Sequence, residues 1–181
     1  MPPVGLSEMV VESVRVRMYT SEHVVILKEV GRERYLPIWI GPWEAAAIAM
    51  KLQDATPERP LTHDLFTTTL ARVGAVIRQV IISDMTDETF RARLLVDIDG
   101  RSLDIDARPS DAIALAIRAG VTVYATEAVL ERAGVIPEPA DDDSEKLAVF
   151  RDFVNSLDVD PGDPGSGGEG GRSGEGRPKD S

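Results

Sequence analysis

Val14, Val16 and Met18 alternate with Arg15 and Arg17, and this period of two predicts a first strand from about Met9 to Met18. A second strand, His23 to Val30, follows a Thr-Ser-Glu turn, and Gly31-Arg32 turns the chain into a third, Glu33 to Ile40. Gly41-Pro42 stops that strand and opens a helix from Trp43 to about Gln53, whose alanines allow close packing. Beyond a proline-bearing loop, Thr62 is the expected N-cap of a helix from His63 to Val73. Leu65, Phe66, Leu70 and Val73 give that helix its apolar stripe, and Gly74 suits the position just past its end. Three strands follow, Ala75 to Ser83, Phe90 to Asp99 and Ser102 to Ala107. An Asp-Glu turn joins the first two, and Asp99-Gly100, a strong hairpin signal, joins the last two.

The pattern is densest from Asp104 to Gly120, DIDARPSDAIALAIRAG. Leu103, Ile105 and Ala107 fall on one face of a strand while Asp104, Asp106 and Arg108 fall on the other. Pro109 fits the first turn of a helix, where its missing N–H is no loss, and Ser110 and Asp111 are placed to accept orphan backbone N–H groups. Ala112 to Ile117 leave no polar face, so this helix is expected to be central. A short strand, Thr122 to Ala125, and a helix from Thr126 or Glu127 to Gly134 follow. After the acid run Asp141 to Asp143, Leu147, Phe150, Val154 and Leu157 predict a final amphipathic helix from Ser144 to Leu157. From Pro161 onward Gly, Ser, Pro and Glu dominate without one aliphatic residue, which predicts disorder.

The expected organisation is a compact domain over 1–140, an amphipathic helix over 141–158 and a disordered tail over 159–181. Three strands precede any helix, which favours an α+β fold with a mixed, largely antiparallel sheet and helices packed against it.

With 43% apolar and 5% aromatic residues the chain reads as an ordinary globule. No apolar run approaches the roughly 20 residues of a bilayer span, so no membrane partner is expected. No cysteine is present, which excludes disulfides, thiolate metal sites and a thiol nucleophile and points to the reducing cytoplasm. The net charge is −11, with 11 acidic against 5 basic residues from Asp141 on and 20 against 15 before it. The body is therefore mildly acidic and carries no basic stripe to guide a long polyanion.

Candidate chemistry lies in two places. Arg59-Pro60-Leu61-Thr62-His63-Asp64-Leu65 sets one of only two histidines beside an acid at the mouth of a helix, where a phosphate or a metal could bind. The bland alternative is that Thr62 caps, Asp64 complements the helix dipole and His63 is merely exposed. Asp106, Arg108, Ser110 and Asp111 form the second cluster at the strand-to-helix bend. His23 has no acid pattern around it and reads as incidental. Glu44 reads as a dipole partner in its helix, and Trp39 and Trp43, with no basic residues interleaved, are expected to pack rather than to stack on bases.

Three stretches in this order and spacing, LPIWIGPWEAAAIAMKL, RPLTHDL and DARPSDAIALAIRAGVTVYATEAVLERAG, resemble the bifunctional nuclease family. The likeness runs from about Met9 to Val135. It implies a compact α+β domain that forms homo-oligomers, with DNase and RNase activity in some members. Its motif positions fall here on Arg59, Pro60, Thr62, His63 and Asp64, and on Asp106, Arg108, Pro109, Ser110 and Asp111.

Two readings follow. In the first, the protein is a nuclease acting on DNA and RNA. Asp64, Asp106 and Asp111, with Glu44 in reserve, hold Mg²⁺ or Mn²⁺; His63 acts as base or ligand, and Arg108 or Arg59 steadies the phosphate beside Thr62 and Ser110. In the second, it is a non-enzymatic interaction module whose arginines and aspartates pair with each other, Arg108 with Asp106 and Asp111 and Arg59 with Asp64, to lock the fold or a subunit interface. A small anion or nucleotide bound at the Thr62 helix mouth is a third. The first requires the two polar patches to converge on one cavity.

Overall fold

The computed structural model describes residues 5–17, 19–137 and 157–159. In chain order its elements are β1 (Leu6–Arg17), β2 (Glu22–Glu29), β3 (Tyr35–Ile40), α1 (Pro42–Leu52), α2 (Thr62–Arg72), β4 (Ala75–Thr86), β5 (Thr89–Ile98), β6 (Arg101–Ala107), α3 (Pro109–Ala119), β7 (Val123–Thr126), α4 (Glu127–Ala133) and β8 (Leu157–Val159). The fold is α+β. One mixed sheet runs β3-β2-β1-β7-β4-β5-β6, with β8 paired to the end of β1 at Arg15–Arg17. Every pairing is antiparallel except β4 with β7.

The core lies between one face of this sheet and the helices. Leu27, Leu36, Ile38, Val80, Ile82 and Leu94 point into it from the strands and meet Ile48 of α1 and Ile113 of α3. As its composition predicts, α3 is central: Pro109, Ser110 and the run from Ala112 to Ala116 are all buried. Gly120 ends it in the left-handed region at φ 66°, which a glycine adopts without strain. The edge strands β3 and β6 lie at opposite ends of the sheet path, yet both of their C-terminal ends border one cavity. Strand-to-strand twist of roughly 20–25° accumulates over the six steps and carries the two edges round toward each other.

Several expectations need correction. β4 runs on to Thr86 because a bulge between Ile82 and Asp84 breaks the alternation that marked its end. Leu61, not Thr62, is the N-cap of α2, and Thr62 is the first helical residue. The orphan N–H of Leu61 is taken by Asp64, whose Oδ2 accepts it at 2.9 Å, so the acid three residues in does the capping. Neither Ser110 nor Asp111 caps α3 with its side chain. The tryptophans do not pack: Trp43 is 84% exposed on the first turn of α1, and Trp39, on the sheet face away from the helices, is half exposed with Arg17 over its ring at 5.0 Å. The amphipathic helix expected over 144–157 lies outside the described residues apart from Leu157, which belongs to β8. The tail from 160 on also lies outside them.

Both expected hairpin turns form with two residues at positive φ. Asp99-Gly100 does so at 50° and 73°, while Asp87-Glu88, between the paired Thr86 and Thr89, does so at 47° and 62° without a glycine. A Cβ in this region costs roughly 1–2 kcal/mol, because it crowds the following carbonyl oxygen. Glu88→Gly should therefore raise stability by about 1 kcal/mol in urea unfolding. Ile113→Ala, at a fully buried site, should lower it by about 2–5 kcal/mol in the same measurement.

Candidate functional site

The junction between β6 and α3 is organised by Arg108, the residue that caps α3 with its backbone. Its side chain turns back along the helix, Nε donating to Asp111 Oδ2 at 2.6 Å and Nη2 to Asp111 Oδ1 at 3.1 Å. Nη2 also donates to Glu44 Oε1 at 2.8 Å, in the first turn of α1. One guanidinium thus ties together two helix N-termini and the two acids that those positive ends favour. A Cβ on Gly41 would stand 2.3 Å from Glu44 Oε2, so the bare backbone leaves room for the folded-back carboxylate, which would otherwise have to shift. Burial pushes the Asp111 carboxyl up, but hydrogen bonds from Arg108 and His63 and their charges outweigh it and hold Asp111 below its ordinary value. Asp111, then Glu44, raise the Arg108 guanidinium.

His63 reaches this junction from α2, with Nε2 at 3.1 Å from Asp111 Oδ1. An ionised carboxylate only accepts, so Nε2 carries the hydrogen toward Asp111; Nδ1 makes no hydrogen bond among the described residues and is the nitrogen that holds the lone pair when the ring is neutral. The adjacent Asp64 faces another way and accepts from Arg118 Nε at 2.6 Å. Arg118 is 6% exposed in its side chain and also donates to Ala114 O at 3.0 Å and to Ala47 O at 3.1 Å, so it fastens α1, α2 and α3 together. Burial raises the Asp64 carboxyl, and Arg118 with the Leu61 N–H reverses this and leaves it lowered.

The two polar patches therefore touch through His63, Asp111 and Arg108, but they do not share the cavity expected of them: of these three only Arg108 lines the cavity that β3 and β6 border, and no residue of the Arg59–Leu65 patch does. His63, Arg108 and Asp111 are in direct contact, and Asp64 stands behind them on Arg118. Asp106 is registered opposite Arg93 while its neighbour Ile105 is opposite the buried Leu94; alternation puts the Asp106 side chain on the sheet face away from α3. It makes no hydrogen bond or ion pair among the described residues, and Arg93 pairs instead with Asp104. Arg59 and Thr62 are exposed and unpaired among the described residues, and Asp64 takes Arg118 rather than Arg59 as its partner. Ser110 is buried and borders a cavity of about 500 Å³ that Arg108 also lines. His23 lies at the same cavity.

A divalent ion does not fit this arrangement. Asp64 is bound to Arg118, Asp106 lies on the other face of the sheet, and the Arg108 guanidinium already sits between Glu44 and Asp111 as their cation. No group of three or more His, Asp or Glu side chains among the described residues is disposed to hold a metal.

Sequence reasoning missed Arg118, the ion pair of Glu44 with Arg108, and the part of His23 in the cavity wall. A signal for Arg118 was present. A helix with no polar face that nonetheless carries an arginine must supply that charge with partners inside the fold.

A match to the bifunctional nuclease domain spans residues 25–138, more than half of the chain and every residue of the His63, Arg108 and Arg118 clusters. The chain is 40% identical over 162 residues to an uncharacterized protein of two Mycobacterium tuberculosis strains, covering 86% of this chain and 97% of that protein. It is 26% identical over 134 residues to bifunctional nuclease 1 of rice, Oryza sativa subsp. japonica, which covers 70% of this chain and 40% of the rice protein. The bifunctional nuclease of Oryza minuta aligns with the same identity and coverage.

Asp64 and Asp111 both have lowered folded-state values, so their contribution to stability is complete above the unfolded carboxylate value of roughly 3.9 and is lost as pH falls through the lower folded values. Asp64→Asn should be less stable than the parent at pH 7, and the gap in urea midpoints should close as the pH is taken below about 4. A gap independent of pH would show that the Arg118 pair contributes nothing through charge.

Proposed function

Since the chain belongs to the bifunctional nuclease domain family, we propose that it hydrolyses phosphodiester bonds of DNA and RNA at the junction of α1, α2 and α3. The observation that carries this is the direct contact of His63 and Arg108 through one carboxylate, Asp111. A nuclease that accepts DNA cannot use the 2′-hydroxyl as nucleophile, so the attacking group is water. His63 Nδ1 removes the proton from that water as its oxygen bonds to phosphorus, and Asp111 holds the ring in the required tautomer and stabilises the imidazolium. The imidazolium then returns a proton as the bond to the leaving oxygen breaks.

Arg108 supplies the positive charge. Its side chain is 66% exposed, and both hydrogens on Nη1 are free of partners among the described residues, so they can bind the non-bridging oxygens where charge builds up. Arg118 and Asp64 are positioning residues that set α2 against α3. As part of the same proposal, the protein works in the reducing cytoplasm and as a homo-oligomer, for which Leu103 and Ile105, exposed on the edge strand β6, offer a surface. No helix among the described residues is long and apolar enough to cross a membrane.

A second reading is favoured by the same ion pairs. Asp64 with Arg118, and Arg108 with Asp111 and Glu44, satisfy one another without a substrate, as a purely structural interaction module would need.

Cleavage separates the two. With extensively purified protein and labelled single-stranded DNA or RNA, His63→Ala and Asp111→Asn should each lower kcat by about 100-fold or more, and Arg108→Ala by about 100- to 1,000-fold. Thermal unfolding should show all three variants folded. Equal activity in parent and variants would assign the cleavage to a contaminant and leave the interaction module. Chelation of divalent ions should leave most of the activity, and its loss would restore metal-assisted hydrolysis.

A further inference from the structure

The cavity beside Arg108 has a makeup that suits neither a bare phosphate nor an apolar ligand. Its volume of about 500 Å³ lies within the roughly 300–1,000 Å³ usual for small-molecule sites. Trp39, Phe90, Pro42 and Pro109 give it flat apolar walls. Two polar groups in it are left without partners. Ser110 is 6% exposed and its hydroxyl makes no hydrogen bond among the described residues, while His23 Nδ1 is buried with no partner. Among the described residues His23 Nδ1 is the buried side-chain atom left without a partner and marks a place where a hydrogen bond is missing, and the Ser110 hydroxyl makes none either.

The charges give the ligand a direction. Arg108 stands at one side of the cavity with Nη1 free, whereas Glu22 and Glu88 line it elsewhere. Glu22 is occupied by Arg17 and Thr20, but the carboxylate of Glu88, an exposed turn residue, has no partner among the described residues. Arg108 is already paired with Glu44 and Asp111 and offers an anion the hydrogen bonds of Nη1, whereas Glu22 and Glu88 repel one; apolar walls, a hydroxyl and a ring nitrogen make up much of the rest.

We propose that this cavity takes the nucleoside next to the phosphate on Arg108, and that the substrate is single-stranded nucleic acid. The base lies against Phe90, Pro42 and Pro109, with Trp39 at the cavity's border, and uses its polar edge on Ser110, His23 and Glu88. A base has to leave its stack to enter, which costs a few kcal/mol in a duplex and far less in a single strand. The strand preference rests on the nuclease reading above; the nucleoside site does not.

The chain has two tryptophans, so Trp43→Phe, at an exposed position, leaves Trp39 as the sole reporter on the cavity wall. Adenosine 5′-monophosphate should quench its fluorescence saturably, at concentrations at least tenfold below those at which ribose 5-phosphate has any effect. Ser110→Ala in the same background should weaken that binding threefold or more. A single-stranded oligonucleotide should be cut at least tenfold faster than the same sequence in a duplex. Absent quenching, or equal binding of ribose 5-phosphate, would overturn the nucleoside site, and equal cleavage of duplex would overturn the strand preference. Nucleotide binding without any His63-dependent cleavage would instead overturn the nuclease reading and leave the site standing; cleavage without binding would do the reverse.

Discussion

A helix with no polar face has to be covered on every side, and α3 is such a helix. The sheet covers one side and α1 and α2 pack on the others, so the three helices meet along seams lined by α3. Any charged residue carried by α3 is then forced into one of those seams. It carries two: Asp111 in its first turn and Arg118 in its last. Asp111 gathers Arg108 and His63, and Arg118 gathers Asp64 and two backbone carbonyls. The polar architecture of the site is a consequence of the apolar demand of one element.

The two seams differ in what they can do. The Arg118 side chain is closed in, 6% exposed and bonded to Asp64 and two backbone carbonyls, although Asp64 itself keeps 32% of its side chain exposed. Removing either partner would leave a charge uncompensated, which makes it a fastener rather than a reagent. The Asp111 seam is open. Arg108 reaches solvent with donors to spare, and His63 keeps a lone pair, so that cluster holds its geometry while retaining capacity for a ligand. Asp64 and His63 are neighbours in sequence but belong to different seams, and this separation lets α2 be anchored by one residue while it presents the other.

Local signals were legible in the sequence, and long-range ones were not. The Asp99-Gly100 hairpin, the glycines that end α2 and α3, and the burial of the Ala112–Ile117 run all follow from backbone and packing rules that act within a few residues. The joining of the RPLTHDL and ARPSD corners was signalled only as two polar patches in search of a common place. Which members would meet was decided by parity and by tertiary fit. Alternation in β6 already set Asp106 on the face opposite to Ile105, yet only the pairing of Ile105 with Leu94 shows which face the helices cover. Thr62 has an N-cap's composition, but Asp64 took the orphan N–H from inside the helix and shifted the boundary by one residue. Trp43 stayed exposed because it sits on the first turn of α1, where that helix does not face the core.

For an acidic chain to act on a polyanion, as proposed, its attraction has to be local. Backbone tracking by many phosphate contacts requires a row of Lys and Arg, and a body with 20 acids against 15 bases has none to offer. What the junction has instead is one guanidinium, held by Glu44 and Asp111 at two helix N-termini, and beside it the cavity proposed to take a nucleoside. Binding energy drawn from stacking and a few hydrogen bonds scales with the bases engaged rather than with phosphates neutralised. Such a surface would hold a flexible strand by one nucleotide at a time, which is the geometry that Arg108 and the Trp39 wall share.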